Sequence, residues 1–207
     1  MRFSYLCDTI PVKMEDKKTI MDDQVAQALA VLKSGGTILY PTDTVWGIGC
    51  DATNAAAVEK VYALKQREDK KSLLILTDKL DNVSKYVQKV PDIAWQLLEV
   101  ADKPLTLILP EGRGVAENVL PEEGTIGIRV PDHEFCKKLI YKLNRPLVST
   151  SANVAGEATP VTFSEIPKAI KEGVDFVVDP AVEGRPTRKA SGIIQVGLGG
   201  EIKIIRE

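Results

Sequence analysis

The 207-residue chain is predicted to be α/β, a single domain in which one mixed twisted sheet has helices against it. Three observations predict this. Short β-rich apolar runs alternate with segments of helical apolar spacing. Glycine, proline, Ser, Thr, Asn and Asp punctuate nearly every junction. No internal repeat, low-complexity tract or long linker divides the series, so 1–207 reads as one unit with its core from about 19 to 206.

In order, Thr19 and Asp22 open a helix carrying Val25, Ala28, Leu29 and Leu32, which Gly35-Gly36 stop. Thr37-Ile38-Leu39-Tyr40 is a strand ended by Pro41, delivering the polar loop Thr42-Asp43-Thr44 and a glycine-bearing segment to Gly49. Thr53 caps a second helix with Val58, Val61 and Tyr62, followed by the strand Ser72 to Leu76. Pro91 opens a helix with Ala94, Leu97, Leu98 and Ala101 inward, and Leu105 to Leu109 is the next strand. Thr125 to Val130 is another. Asp132 caps a helix bearing Phe135, Cys136, Leu139, Ile140 and Leu143. Pro146 to Ser149 returns as a strand into the polar loop Thr150 to Pro160, and a helix follows over Ser164 to Glu172. Asp175 to Val178 and Ile193 to Val196 read as strands, the latter turning through Gly197 to Gly200 into Glu201 to Ile205 as a hairpin.

With 44% hydrophobic and 27% charged residues the chain is globular in composition, and 27 Lys+Arg against 29 Asp+Glu leave no chain-wide basic field for nucleic acid or membrane. Three cysteines, Cys7, Cys50 and Cys136, lie far apart and read as small buried hydrophobes in a reducing compartment. No leader pattern opens the sequence and no 18-residue apolar run occurs, which reads as a cytoplasmic protein.

The residues able to carry chemistry each have two readings. Lys65 ends an apolar helical stripe, either as a snorkelling stem or as a buried ammonium with an anionic partner. With Arg67, Lys70 and Lys71 it forms a local positive field suited to polyphosphate or RNA, or a solvated run that Glu68 and Asp69 partly neutralise. Ser149, Thr150, Ser151 and Asn153 crowd a strand exit, where they could bind a ligand or only each other. Arg129 lies inside an apolar strand and needs either a ligand anion or a structural salt bridge. The stretch Gly184 to Lys189 is a mobile lid over phosphates or a solvated basic loop. His133 is the sole histidine, read as a surface or helix-end residue with too few neighbours for zinc. Triad and Cys/His hydrolases are thereby disfavoured, which leaves catalysis by positioning and charge neutralisation, as in phosphoryl or nucleotidyl transfer.

Four motifs stand in order: Tyr40 to Gly49, Lys65-Gln66-Arg67, Gly127 to Pro131, and Ser151-Ala152-Asn153. On these the chain resembles the YrdC-like family of threonylcarbamoyl-AMP synthases. The resemblance implies an open twisted sheet with a large concave, positively lined groove (a YrdC-like α/β twist). It implies conversion of L-threonine, bicarbonate and ATP, with Mg2+ accompanying ATP, into threonylcarbamoyl-AMP and pyrophosphate. The product would serve threonylcarbamoyladenosine modification of tRNA through a tRNA threonylcarbamoyl transferase complex.

By position, Lys65 and Arg67 resemble the catalytic pair that binds the triphosphate. Ser151, Asn153, Thr125, Thr159 and Arg206 resemble further ATP contacts, while Thr42, Arg129, Ser149 and Ser191 resemble the threonine-binding positions. Glu68, Lys71-Ser72, Leu76, Asp102-Lys103-Pro104 and Ser191-Gly192 depart from the usual pattern, as in a divergent branch of the YciO type. The alternative carried with that branch is a non-catalytic protein that binds double-stranded RNA or tRNA.

Overall fold

The structure is a computed structural model that describes residues 14–66 and 73–207. Cys7, Arg67, Glu68, Asp69, Lys70, Lys71 and Ser72 lie outside the described residues. Helix α1 (Met14–Lys33) precedes strands β1 (Ile38–Tyr40) and β2 (Gly47–Gly49), and α2 (Ala55–Leu64) leads to β3 (Leu74–Leu76). Helix α3 (Asp92–Val100), β4 (Leu105–Leu109), β5 (Ile126–Arg129), α4 (Glu134–Leu143) and β6 (Leu147–Ser151) follow. The chain ends through α5 (Lys168–Gly173), β7 (Phe176–Val177), β8 (Gly192–Val196) and β9 (Ile202–Arg206). The strands form one mixed sheet in the order β7-β1-β2-β6-β3-β5-β4-β8-β9. Pairings β1/β7, β3/β5 and β4/β8 are parallel and the others antiparallel. No helix among the described residues is long and apolar enough to cross a membrane.

Local chemistry accounts for the boundaries. At the end of α1, Gly35 (φ 78°) takes the left-handed conformation; its N–H donates to Leu32 O and that of Gly36 to Val31 O, the two-bond pattern that closes a helix. The helix begins earlier than Thr19 because Glu15 to Lys18 include no helix breaker, so the turn propagates ahead of the apolar stripe. Asn54, not Thr53, caps α2: its side chain accepts from Ala57 N–H at 3.2 Å, while Thr53 donates its hydroxyl to Asp51 at 2.7 Å. His133 rather than Asp132 occupies the N-cap position of α4, and the Asp132 carboxylate is turned to Lys137. Pro91 sits one residue before α3, whose residues Leu97 and Leu98 are only half-buried and Ala101 exposed. The helix expected over Ser164 to Glu172 is split into a 3₁₀ turn, Phe163–Glu165, and α5, because Pro167 disfavours helical backbone at Ile166 and lacks an N–H donor.

Strand β2 escapes a propensity reading because two of its three residues are glycine. Glycine is needed there: a Cβ on Gly49 would collide with Val148 O, and one on Gly47 would lie 3.3 Å from Ser149 Oγ.

Register then sorts the sheet into two faces. Val148, Ile75, Ile128, Leu107 and Ile194 are successive cross-strand partners, and they join one core with Val25, Val58, Phe135 and Leu139 of the helices. The intervening residues belong to the other face and carry the polar groups. Cys50 and Cys136 lie in that core, where burial pushes the Cys50 thiol up to about 12 and raises Cys136 as well, so both act as small apolar groups. Ile75→Ala, at a fully buried site on the central strands, is expected to lower unfolding free energy by about 2–5 kcal/mol in urea titration.

Candidate active site

Two rows of cross-strand neighbours build the floor of the site. One runs Ser149–Leu74–Gly127–Ile108 across β6, β3, β5 and β4. The other runs Arg129–Thr106–Ile193–Arg206 across β5, β4, β8 and β9. All eight line one cavity of about 310 Å³, completed by the loops carrying Thr44 to Trp46, Thr159 and Ala190-Ser191. Three strand spacings separate Arg129 from Arg206, about 14 Å of backbone. Two guanidiniums therefore share one cavity, with the hydroxyls of Thr106 and Ser191 joined between them at 2.8 Å. Burial first, and then the Arg129 charge, lowers the Arg206 guanidinium from its ordinary pKa. An anion between them would relieve that repulsion.

Arg129 is 3% exposed and adopts the salt-bridge alternative. Its Nη1 donates to Asp43 Oδ1 at 2.6 Å and to Thr44 Oγ1 at 3.1 Å. Asp43 Oδ2 in turn accepts from Asp132 N–H at 3.2 Å. The proton order in the loop is determined. Thr42 gives its one hydroxyl proton to Val45 O (2.8 Å), so Thr44, which accepts from Arg129, must donate to Thr42 Oγ1 (2.8 Å). Thr42 is thus a brace beneath the loop, 2% exposed and outside the cavity wall.

The remaining expected positions divide in the same way. Ser149, Ser151, Thr159, Ser191 and Arg206 line the cavity, and Arg206 Nε donates to Ser191 O at 2.9 Å. Lys65 does not: its ammonium sits behind the wall, donating to Ser151 O at 2.6 Å and Asn153 O at 2.7 Å. Its own carbonyl accepts from Ala155 N–H at 2.9 Å. The cation therefore finds backbone carbonyls as partners and staples the 151–155 loop to α2. Asn153 uses both amide protons on Val154 O and Glu157 O, so it orders the loop and is not part of the wall. Thr125 is placed outside the wall, its hydroxyl donating to Glu123 at 3.3 Å. The basic stretch is docked, Thr187 N–H on Asp43 O (2.8 Å) and Arg188 N–H on Thr44 O (2.9 Å), rather than standing free as a lid.

Residue reasoning missed Thr106, Trp46 and Glu183. The signal for Thr106 was a lone hydroxyl in the run Leu105 to Leu109. Trp46 lines the cavity, packs against Phe163 with ring centroids 4.8 Å apart and planes tilted by 52°, and donates to the Glu183 carboxylate at 2.7 Å. His133 is a helix-end residue but is 7% exposed, a correction to its surface reading. Its Nε2 bonds Glu183 O at 2.8 Å, and burial lowers its pKa.

Fold and cavity define an α/β protein whose open sheet holds two cations and a hydroxyl wall, a setting for a ligand with several anionic groups. The chain matches the Sua5/YciO/YrdC family model, described as "Telomere recombination", over residues 30–207, and it belongs to that family. It is 34% identical over 169 residues to the threonylcarbamoyl-AMP synthase of Pseudoalteromonas translucida, covering 79% of this chain and 90% of the relative. It is 35% identical over 173 residues to that of Idiomarina loihiensis, covering 81% and 92%. Among solved structures, P. abyssi Sua5 complexed with L-threonine matches with a TM-score of 0.74 and 25% identity over 87% of this chain. The chain spans 51% of that protein's length. E. coli YciO shares the fold, with a TM-score of 0.73 and 24% identity over 92% of this chain and 89% of that one.

Two outcomes test the geometry. Lys65→Met keeps the stem but strands two carbonyls, and is expected to cost about 2–4 kcal/mol of stability by denaturant unfolding. His133, the sole histidine, protonates near its ordinary 6.5 when unfolded and lower when folded. The unfolded state then binds more protons between those values, so stability falls as pH drops from about 7 through that window. His133→Gln should flatten this slope in unfolding curves measured from pH 7 to 5.

Proposed function

We infer that the protein is a threonylcarbamoyl-AMP synthase, joining L-threonine, bicarbonate and ATP to give threonylcarbamoyl-AMP and pyrophosphate. The observation that carries this reading is the Arg129–Thr106–Ile193–Arg206 row, two guanidiniums flanking hydroxyls on one cavity floor. The curated relatives bear the name of that activity. The Sua5 structure in complex with L-threonine supports threonine as the amino acid.

Arg129, with Ser149 and Ser191, holds threonine by its carboxylate and hydroxyl. Bicarbonate loses water to give CO2, and the threonine amine bonds the CO2 carbon and releases the proton that the dehydration takes up, giving a carbamate. A carbamate oxygen attacks the α-phosphorus in line, and the bond to the β-phosphate oxygen breaks to release pyrophosphate. Ser151, Thr159 and Arg206 hold the nucleotide, with Arg206 countering phosphate charge. Lys65 and Asn153 contribute by holding the Ser151 loop, and Arg67, by its position in the motif, serves the triphosphate. Thr125 and Thr42 lie outside the cavity wall and take no contact in this scheme.

Among the described residues no three His, Cys, Asp or Glu side chains form a metal cage. Mg2+ enters this reading with the phosphates of ATP and supplies neutralisation of the leaving pyrophosphate. The product goes to a tRNA threonylcarbamoyl transferase complex in the cytoplasm, which acts on tRNA.

Pyrophosphate release is expected only when threonine, bicarbonate and ATP are all present. Arg206→Ala and Arg67→Ala are each expected to lower kcat/KM for ATP by roughly a hundredfold, about 2.7 kcal/mol of transition-state stabilisation. Indifference to ATP together with steeply salt-dependent binding of double-stranded RNA would instead support a non-catalytic RNA-binding protein.

A further inference from the structure

We propose that Asp43 is a positioning residue that sets amino-acid specificity, by fixing the Arg129 guanidinium so that its Nε–Nη2 edge receives the substrate carboxylate. This rests on the synthase reading above and deepens it.

A guanidinium has two edges that can take a carboxylate in bidentate fashion, one between Nη1 and Nη2 and one between Nε and Nη2. Here the protein consumes the first. Both Nη1 protons are committed, to Asp43 at 2.6 Å and to Thr44 at 3.1 Å. The second edge is left over: Nε is buried with no partner among the described residues, on a side chain that is 4% exposed and lines the cavity. A buried N–H without an acceptor is destabilising, so the folded protein holds an unmet demand at this point. Because Nε is covered by the surrounding protein, a carboxylate that meets this edge with two parallel hydrogen bonds must press in against Arg129 from the cavity.

Asp43 is built to hold the guanidinium still. Its second oxygen accepts from Asp132 N–H at 3.2 Å, and its backbone carbonyl accepts from Thr187 N–H at 2.8 Å. The strand β5 arginine and the entry to α4 therefore meet on the Asp43 carboxylate, while the segment leading to Ser191 holds the Asp43 backbone. The Asp43 charge also partly offsets that of Arg129. The receptor edge consequently recognises a ligand by the direction of its hydrogen bonds more than by net charge, and direction is what an unanchored arginine would lose.

The test compares L-threonine with L-threoninol, which keeps the amine and side chain but has no carboxylate. In the wild type, threonine is favoured in kcat/KM for pyrophosphate release. Asp43→Asn can still accept from Arg129 but cannot also accept from Asp132 N–H. It is expected to raise the threonine KM at least tenfold and shrink the threonine/threoninol ratio at least tenfold, with the KM for ATP within threefold. A merely structural role would lower both substrates together, and an unchanged ratio overturns the proposal. Thr44→Val, which removes only the second Nη1 acceptor, should shrink the ratio by a smaller factor. If Asp43→Asn does not fold, that variant decides alone. A wild type that releases no pyrophosphate with threonine would defeat the synthase reading instead. Calorimetric binding of threonine against threoninol to wild type and both variants still decides the role of Asp43 in that case.

Discussion

The site depends on a buried charge having one partner. Arg129 stands in a central strand, 3% exposed, and an uncompensated guanidinium there would cost several kcal/mol. Asp43 removes that cost from 2.6 Å away, and it comes from a loop remote in sequence. Whatever holds that loop therefore holds the site. Thr42 and Thr44 brace it from within, Asp132 N–H from the entry to α4, and Thr187 and Arg188 N–H groups from the segment before β8. Three stretches of chain far apart in sequence, 42–44, 129–132 and 187–188, meet around this ion pair and the loop that carries it, and the cavity wall inherits their positions.

A second arrangement works from behind. Lys65 places its ammonium on two carbonyls of the 151–153 turn, and its own carbonyl takes Ala155 N–H. The polar residues of the recognisable motifs thus divide into those that face the cavity and those that hold the facing ones. Ser149, Ser151 and Ser191 belong to the first group, and Lys65, Thr42 and Asn153 to the second. Fixing hydroxyls and backbone in advance removes the reorganisation that water would need around a reacting phosphate, the general source of catalytic gain in sites that work by charge and position.

Much of this fold could be read from residue order. The apolar positions of α4 are periodic enough that Phe135, Cys136, Leu139, Ile140 and Leu143 all prove buried. Strand β2 could not be read, because its glycines answer to a clash with β6 that exists only in three dimensions. Caps shifted by one residue for a related reason: Thr53 and Asp132 both have the chemistry to cap, but Asp51 and Lys137 compete for them. In the site, residues singled out in the sequence at separate strand ends come together on one cavity, with Arg129 and Ser149 on its floor. Which polar groups turn inward was not legible. For Lys65 that depends on where the carbonyls of a loop 86 residues away come to rest, and for Arg129 on which carboxylate reaches it first.

The two arginines of the floor differ in a way that assigns them different work. Arg129 is paired with Asp43, so its charge is partly offset at close range and its free donors act directionally, although the charge still reaches Arg206. Arg206 has no carboxylate partner among the described residues; its Nε is held by the neutral Ser191 carbonyl, and its remaining nitrogens keep a full charge. A monovalent carboxylate gains most from direction, because two aligned hydrogen bonds match its two oxygens. A polyphosphate gains most from net charge, since several negative oxygens share whatever cation is near. On the synthase reading proposed above, this difference suits the pair at β5 to the amino acid and the unpaired charge at β9 to the nucleotide. The strand order places β4 and β8 between the two arginines, with the hydroxyls of Thr106 and Ser191 joined between them.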